Sequence, residues 1–319
     1  MELTFAQYVN TKIRQRFSSY EHSVIFGQNI ISGSRISGLG VGLDQISNCV
    51  ALNTTNSENS LMGLGFGLAL SETPSLFLME QHDFALLGLD QLTNTHNVLR
   101  DGKLLAPFII LMVVIDSGFE GPQASLSSLD EFASLSKAPI YFLSSKESID
   151  KAFELSNAPG LHIMALSQKN MKNICTPSQL QVINFNEATI YRYQSMKNKP
   201  KIAVVFFGVN ISIAREISEK LSDKSYCVSL VNIIRLSKIE VTSTLFYEIS
   251  QHDRIVVIDT GKSDVHFSTD LALNLKESGD HVDLYQRDSS QNWSVVSDDA
   301  IGFDVQSIIQ KIVKGIEIV

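Results

Sequence analysis

Short runs of apolar residues recur along the chain, separated by segments of helical periodicity. The runs lack polar alternation, which is typical of strands that are buried on both faces of a parallel sheet. Nine such runs lie at residues 23–26, 75–79, 107–114, 139–143, 161–166, 202–207, 227–234, 254–258 and 282–285. Apolar residues at three- and four-residue spacing predict helices at residues 1–17, 145–155 and 210–221, the last with Asn210 as its N-cap. The alternation predicts an α/β fold with parallel sheets.

One polar segment interrupts this alternation and marks a domain boundary. Residues 184–200 end in a cluster of Lys, Asn and Pro, which is typical of a connection between domains. A chain of 319 residues is long enough for two domains, each with its own core. We therefore predict a first domain at residues 1–185, a linker at 186–200 and a second domain at 201–319.

Composition and charge exclude several classes of protein. The chain has 34 acidic and 26 basic side chains and no Lys/Arg block, which argues against nucleic acid or an acidic membrane surface as its partner. The longest apolar stretch, residues 104–115, is shorter than the roughly 18 residues that span a bilayer, and the N-terminus lacks an export signal. Cys49, Cys175 and Cys227 lie far apart, without metal or redox spacing. We expect a cytoplasmic protein with reduced thiols.

Two glycine-spaced stretches are the first candidates for a binding site. The glycines are Gly38, Gly40 and Gly42 in the first stretch and Gly63, Gly65 and Gly67 in the second. Neither stretch matches the dinucleotide fingerprint or the P-loop. The second predicts a helix whose glycines let another helix approach closely, with Glu58 near its N-terminal end. A lone Glu at that position is usually a first-turn carboxylate that the helix dipole favours.

The segment that follows Glu58 has a specific order of residues. A Glu precedes two spaced glycines, a Pro before a strand, an aromatic at a helix start and an Asp-Gln-x-x-Asn motif; these are Glu58, Gly63, Gly67, Pro74, Phe84, Asp90, Gln91 and Asn94. This order resembles the thiamine diphosphate (ThDP) enzymes of the transketolase type. The likeness is greatest to the beta subunit of the decarboxylating component of 2-oxo acid dehydrogenases and to the C-terminal half of a split transketolase. It implies two doubly wound domains, a pyrimidine-binding domain and a transketolase C-terminal domain.

The resemblance implies a role for Glu58. In the family this carboxyl hydrogen-bonds a ring nitrogen of the aminopyrimidine and favours the imino tautomer that removes a proton from the thiazolium carbon. A buried carboxyl suits that bond because it shares a proton with a weakly basic ring. Phe84 would lie against the pyrimidine ring, unless it is an ordinary core aromatic. Gln28 and Glu80 complete the expected cofactor-binding residues.

His82 is the second candidate catalytic residue, because it stands two positions before Phe84 at the same predicted helix start. An imidazole beside the thiazolium ring can act as acid or base near neutral pH. The alternative is a polar cap or a stacking substitute for an aromatic. The other histidines show no metal-ligand spacing, so we expect no metal ligands from this chain; they are His22, His96, His162, His252, His266 and His281.

The departures from the family concern the substrate. Ala124 stands where the family carries a substrate-binding or catalytic His, Ile115 where transketolases have another His, and Gln168 where they have a phosphate-binding Arg. Gln28 replaces the usual acidic residue after the first strand. These changes argue against transfer between sugar phosphates and against acyl transfer to a lipoyl domain. The candidates that remain for substrate contact are Arg35, Gln123 and Ser125.

The sequence also lacks the Gly-Asp-Gly motif that, with a later Asn, holds Mg²⁺ and the cofactor diphosphate in full-length transketolases. We therefore expect a separate alpha subunit to supply these ligands in an α2β2 heterotetramer. The favoured function is a two-chain ThDP enzyme that decarboxylates a 2-oxo acid or cleaves a ketol and transfers the acyl or two-carbon unit to an acceptor. The alternatives are a 2-oxo acid dehydrogenase beta subunit that feeds a lipoyl domain, and a noncatalytic assembly partner.

Overall fold

A computed structural model describes residues 2–116, 129–193, 199–263, 265–287 and 303–317. The strands are β1 Ser23–Gly27, β2 Cys49–Asn53, β3 Ser75–Met79, β4 Pro107–Val114, β5 Ile140–Phe142, β6 Gly160–Ser167, β7 Gln181–Asn184, β8 Ala188–Arg192, β9 Lys201–Phe207, β10 Cys227–Ile233, β11 Arg235–Leu236, β12 Arg254–Asp259 and β13 Val282–Gln286. The α-helices are α1 Phe5–Phe17, α2 Glu58–Leu70, α3 His96–Leu99, α4 Leu129–Ser136, α5 Lys146–Leu155, α6 Ser212–Asp223, α7 Thr244–Ser250, α8 Phe267–Glu277 and α9 Val305–Glu317. Shorter helical turns span Arg35–Gly38, Leu43–Gln45, His82–Gly88 and Gln91–Thr95.

The first sheet has seven strands in the order β11-β5-β6-β4-β3-β1-β2, parallel except for β11. Alternate residues of β4 point to opposite faces, as strand geometry requires. Phe108 and Ile110 join the core under α2 and α4, whereas Ile109 and Leu111 join the core under α1 and α5. Helices therefore cover both faces of the sheet, as the apolar runs predicted.

The second sheet has six strands in the order β13-β12-β9-β10-β8-β7. Its first four strands are parallel, and β8 and β7 add to it in antiparallel directions. Val204 and Phe206 of β9 pack with α6 and α9, whereas Val205 and Phe207 pack on the side of α7 and α8. Two largely parallel sheets with helices on both faces confirm the predicted α/β fold class.

Each of the nine predicted strands is present, and the described residues contain four further strands that were not predicted. The hairpin of β7 and β8 lies around the predicted boundary at residue 185, and β8 falls within the segment predicted as a linker. Both strands belong to the second sheet, where β8 pairs with β10. The segment was predicted as a connection because polar residues flank β8, although the first four residues of this strand are buried. The two-domain division itself stays a prediction.

Two local predictions need correction. The N-cap of α6 is Ile211, one residue after Asn210, although Oδ1 of Asn210 accepts hydrogen bonds from the backbone N–H (3.2 Å) and the hydroxyl (2.7 Å) of Ser212. In α2, a Cβ on Gly65 would lie 2.1 Å from Cζ of Phe108. The close approach at this glycine is therefore to a phenyl ring of the sheet and not to another helix.

The two sheets share contacts and a core. Strand β11 pairs with β5, and the backbone N–H of Phe142 donates a 2.7 Å hydrogen bond to the carbonyl of Ile234. One continuous apolar cluster runs from α2 and α4 to α7 and α8. Within the described residues, no helix combines the length and apolar composition needed to cross a membrane.

Candidate functional site

The predicted cofactor residues gather at the carboxyl ends of neighbouring parallel strands. Strand β1 lies between β2 and β3 and is parallel to both, so the three strands end at the same edge of the sheet. Gln28 follows β1, Glu80 follows β3, and α2 begins with Glu58 shortly after β2. The carboxyl edge of a parallel sheet is where α/β proteins bind ligands.

Glu58 is a buried carboxyl at a helix start. Glu58 is the first residue of α2 and is only 4% exposed. The side-chain amide of Gln28 donates a 3.1 Å hydrogen bond to Oε1 of Glu58. The positive end of the α2 dipole favours a negative charge at this position. The local structure therefore suits both the ordinary first-turn role and the cofactor role.

Gly27 explains how Gln28 reaches this position. Its φ is +151°, and a Cβ there would lie 2.1 Å from the carbonyl oxygen of Leu78. Only a glycine lets the end of β1 approach β3 so closely. The next residue, Asn29, donates a 3.4 Å hydrogen bond from Nδ2 to Oε2 of Glu80. Gln28 and Asn29 thus link the two acidic side chains of the site.

His82 and Phe84 lie in the helical turn His82–Gly88, which packs against α2. His82 is 0% exposed, with Nδ1 3.2 Å from Oδ2 of Asp83. Its ring meets Phe132 edge-on, with ring centroids 6.3 Å apart. The imidazole therefore lies inside the protein, whereas Phe84 is half-buried at the edge of the core.

Arg35 is the one predicted substrate residue among the described residues. Arg35 lies in a turn between β1 and β2, where Arg35, Ile36 and Ser37 all have positive φ values of 48°, 46° and 50°. In the part of the chain that the structure describes, no hydrogen bond or ion pair joins the Arg35 side chain to Glu58, Glu80 or His82. Gln123, Ser125 and the substituted position Ala124 lie outside the described residues.

A second group of titratable side chains was not predicted. Asp130 of α4, Asp259 at the end of β12 and His266 before α8 are buried, and one ligand atom from each lies within 4.8 Å of the others. Burial and the charge of Asp259 raise the pKa of Asp130 to about 7. Asp130 is more than a hundred positions from Asp259 and His266 in sequence, so spacing gave no signal of the cluster.

Comparison with known proteins identifies the fold. No family profile matches the sequence, and no curated protein matches it. Among solved structures, a split-gene transketolase described as an inactive beta4 tetramer is similar over 98% of both chains, with a TM-score of 0.66 and 12% identity. A transketolase from Campylobacter jejuni is similar over 98% of this chain and 47% of its own, with a TM-score of 0.67 and 11% identity.

The class that the fold defines is therefore transketolase-like. The chain spans a little under half of the Campylobacter jejuni transketolase and nearly the whole of the split-gene chain. This likeness confirms the predicted resemblance at the level of the fold, and the identity of 11–12% carries no information on substrate.

Proposed function

We propose that this chain is the pyrimidine-activating subunit of a two-chain ThDP-dependent enzyme. The observation that carries the proposal is the position of Glu58, buried at the N-terminus of α2 at the carboxyl edge of the first sheet. The transketolase-like fold supports the proposal, because the motif that begins at Glu58 lies on the first sheet of that fold.

The residues present fit the pyrimidine half of ThDP. Glu58 offers a buried carboxyl, Gln28 holds one of its oxygens through a 3.1 Å hydrogen bond, and Phe84 offers a half-buried phenyl ring from the turn packed on α2. When bound, ThDP supplies a reactive thiazolium carbon and an electron sink. This chain's part is for Glu58 to hold a proton at the pyrimidine ring, for Gln28 to orient Glu58, and for Phe84 to contact the ring. Glu80 is joined to the site by the hydrogen bond that it accepts from Asn29, the neighbour of Gln28.

The diphosphate and Mg²⁺ would be held by a partner chain. The sequence has no Gly-Asp-Gly motif. Within the described residues, the one cluster of His, Cys, Asp or Glu with metal-ligand geometry is that of Asp130, Asp259 and His266, and it includes neither Glu58 nor Glu80. The split-gene transketolase of similar fold is described as inactive in its beta4 form. By analogy, this chain alone should be inactive, and an alpha subunit should complete an α2β2 enzyme.

Exposed apolar side chains support a partner on the α2 side. After its three polar N-terminal residues, helix α2 is apolar on all sides, and Leu64 on its surface is exposed. Leu86 and Leu87 are exposed in the adjacent turn His82–Gly88. Clustered exposed leucines are typical of surfaces that another chain covers. A subunit contact here would bring the partner's diphosphate ligands beside Glu58.

The proposed reaction is decarboxylation of a 2-oxo acid or cleavage of a ketol, with transfer of the acyl or two-carbon unit to an acceptor. Ala124, Ile115 and Gln168 replace the side chains that relatives use for their substrates, which favours an acceptor other than a sugar phosphate or a lipoyl group. His82 is the weakest member of the proposed site, because its imidazole is fully buried.

The test is reconstitution with a partner chain that carries the Gly-Asp-Gly motif. The mixed complex should exchange the thiazolium proton of ThDP for deuterium, as followed by NMR, and should turn over 2-oxo acids or ketoses. Neither chain alone should do so. Exchange by the complex at the rate of free ThDP would contradict the proposal, because Glu58 would then have no effect on the cofactor.

A further inference from the structure

The buried cluster of Asp130, Asp259 and His266 joins the two sheets. Asp130 lies in the first turn of α4, whereas Asp259 ends β12 and His266 precedes α8. Nδ1 of His266 lies 3.1 Å from Oδ2 of Asp259, and one donor atom from each of the three residues lies within 4.8 Å of the other two. Each of the three residues is more than nine-tenths buried.

Both carboxylates are held in place by hydrogen bonds from their surroundings. The backbone N–H of Phe267 donates to Oδ1 of Asp130 at 2.9 Å. The backbone N–H of Gly261 donates to Oδ1 of Asp259 at 2.8 Å, and the hydroxyl of Ser268 donates to Oδ2 at 2.6 Å. Metal-binding carboxylates and imidazoles are characteristically oriented in this way by a surrounding shell of hydrogen bonds.

Two further observations point to a ligand at the cluster. Nδ1 of His266 is buried and, in the part of the chain that the structure describes, makes no hydrogen bond of good geometry. A cavity of about 10 Å³ is bordered by Asp130, Asp259 and Gly261, which is about the size of one water molecule or one ion.

The donor atoms of the cluster also match the charge of a metal ion. A divalent cation balances two ionised carboxylates and binds an imidazole nitrogen in its neutral form.

We propose that Asp130, Asp259 and His266 form a binding site for one divalent transition-metal cation that fastens α4 to the end of β12. Two carboxylate oxygens and one imidazole nitrogen are a donor set that suits Zn²⁺. Ligand atoms about 2 Å from such an ion are a little over 3 Å from one another, so small side-chain rotations close the site. The three ligands differ from the proposed ThDP residues, and a bound cation would hold the two sheets together.

The experiment is a calorimetric titration of the full chain with Zn²⁺ after treatment with a chelator, together with NMR of the chain labelled at its histidines. We expect one Zn²⁺ per chain and a shift of the imidazole signals that His266→Gln removes. Asp259→Asn and His266→Gln should each weaken Zn²⁺ binding by at least about 100-fold, more than loss of an outer-shell partner costs. Asp270→Asn, an exposed change of the same type in α8, should leave binding unchanged.

The absence of a Zn²⁺ site in the wild-type chain would overturn the proposal, and so would Zn²⁺ binding that survives both variants. In either case the three side chains pair with one another and hold no metal. If a variant folds poorly, the NMR spectrum of the wild-type chain with and without Zn²⁺ tests the proposal. A His266 signal that does not shift on addition of Zn²⁺ means that the ion binds elsewhere. The readout does not involve ThDP, so it is independent of the proposed enzymatic function.

Discussion

Gln28 donates a 3.1 Å hydrogen bond from its side-chain amide to Oε1 of Glu58, and thereby joins the end of β1 to the start of α2. In the ThDP enzymes that the sequence resembles, the residue at this position is usually acidic. The amide of Gln28 offers a hydrogen-bond donor that an ionised acid lacks. The orientation of the Glu58 carboxyl therefore depends on a residue that differs from the one usual in those enzymes.

Replacing Glu58 should abolish cofactor activation and leave the fold intact. Glu58→Gln in the reconstituted complex should lower turnover by about 100-fold or more, as expected for loss of a group that acts on the reacting cofactor. The measurement is deuterium exchange at the thiazolium carbon together with steady-state kinetics. Glu21→Gln, a change of the same type at an exposed position, is the matched control and should behave as wild type. Wild-type exchange in the Glu58→Gln complex would refute the assignment.

Replacing His82 should affect stability more than chemistry. His82→Phe removes an imidazole 3.2 Å from the buried carboxyl of Asp83, so we expect a loss of about 1–3 kcal/mol in the free energy of unfolding. ThDP binding by the complex should persist. Denaturant unfolding and kinetics from pH 6 to 8 measure the two effects. A changed pH profile at unchanged stability would instead make His82 a catalytic acid or base.

The chain alone should bind ThDP only weakly. Glu58 and Phe84 offer one hydrogen bond and one ring contact, each worth about 1 kcal/mol net, which corresponds to millimolar affinity or weaker. Calorimetry on the purified chain with Mg²⁺ and ThDP should show no micromolar site, and addition of the partner should create one together with activity. Micromolar binding without a partner would mean that the diphosphate site lies in this chain.

The exposed leucines near α2 should be needed for assembly. Leu87 is 65% exposed, and Leu87→Glu places a charge on a surface that the partner would bury. We expect the complex to weaken by at least about 10-fold, measured by analytical ultracentrifugation, while the isolated chain stays folded. Leu273→Glu is the control, because Leu273 is also exposed, at 53%, but lies on α8. Equal effects of both changes would argue against a specific contact at α2.

Acid should destabilise the chain partly through His162. Burial lowers the pKa of its imidazole to about 4, although Nε2 donates a 2.8 Å hydrogen bond to the carbonyl of Ala158. The unfolded chain takes up a proton near the ordinary pKa of 6.5, so stability is lost as the pH falls from about 6.5 to 4. His162→Gln keeps a donor for the carbonyl of Ala158. In this window it should reduce the pH dependence of the free energy of unfolding, measured by denaturant unfolding, by the equivalent of up to one proton taken up on unfolding. His96 and His252 have lowered pKa values too, so part of the slope should remain.

The secondary structure was largely predictable from sequence, because buried parallel strands impose a strong local pattern. The uninterrupted apolar runs placed nine strands and the α/β class, and the resemblance that starts at Glu58 gave the transketolase-like fold. The strands that escaped prediction lie at sheet edges or in hairpins. Strand β2 is half-buried, and β8 lies in a polar stretch, so neither shows a continuous apolar run.

The contacts of the candidate site depended on the tertiary structure. The sequence predicted Glu58 at a helix start, because the glycine-spaced helix that follows is a local pattern. Only the packing of β1 against β3 and α2 brought Gln28 within hydrogen-bond distance of Glu58. Likewise, nothing in the spacing of Asp130, Asp259 and His266 indicates that they meet. Local sequence determines which segments become strands and helices. Which side chains share a buried space depends on how the two sheets pack, because packing brings together residues that are far apart in the chain.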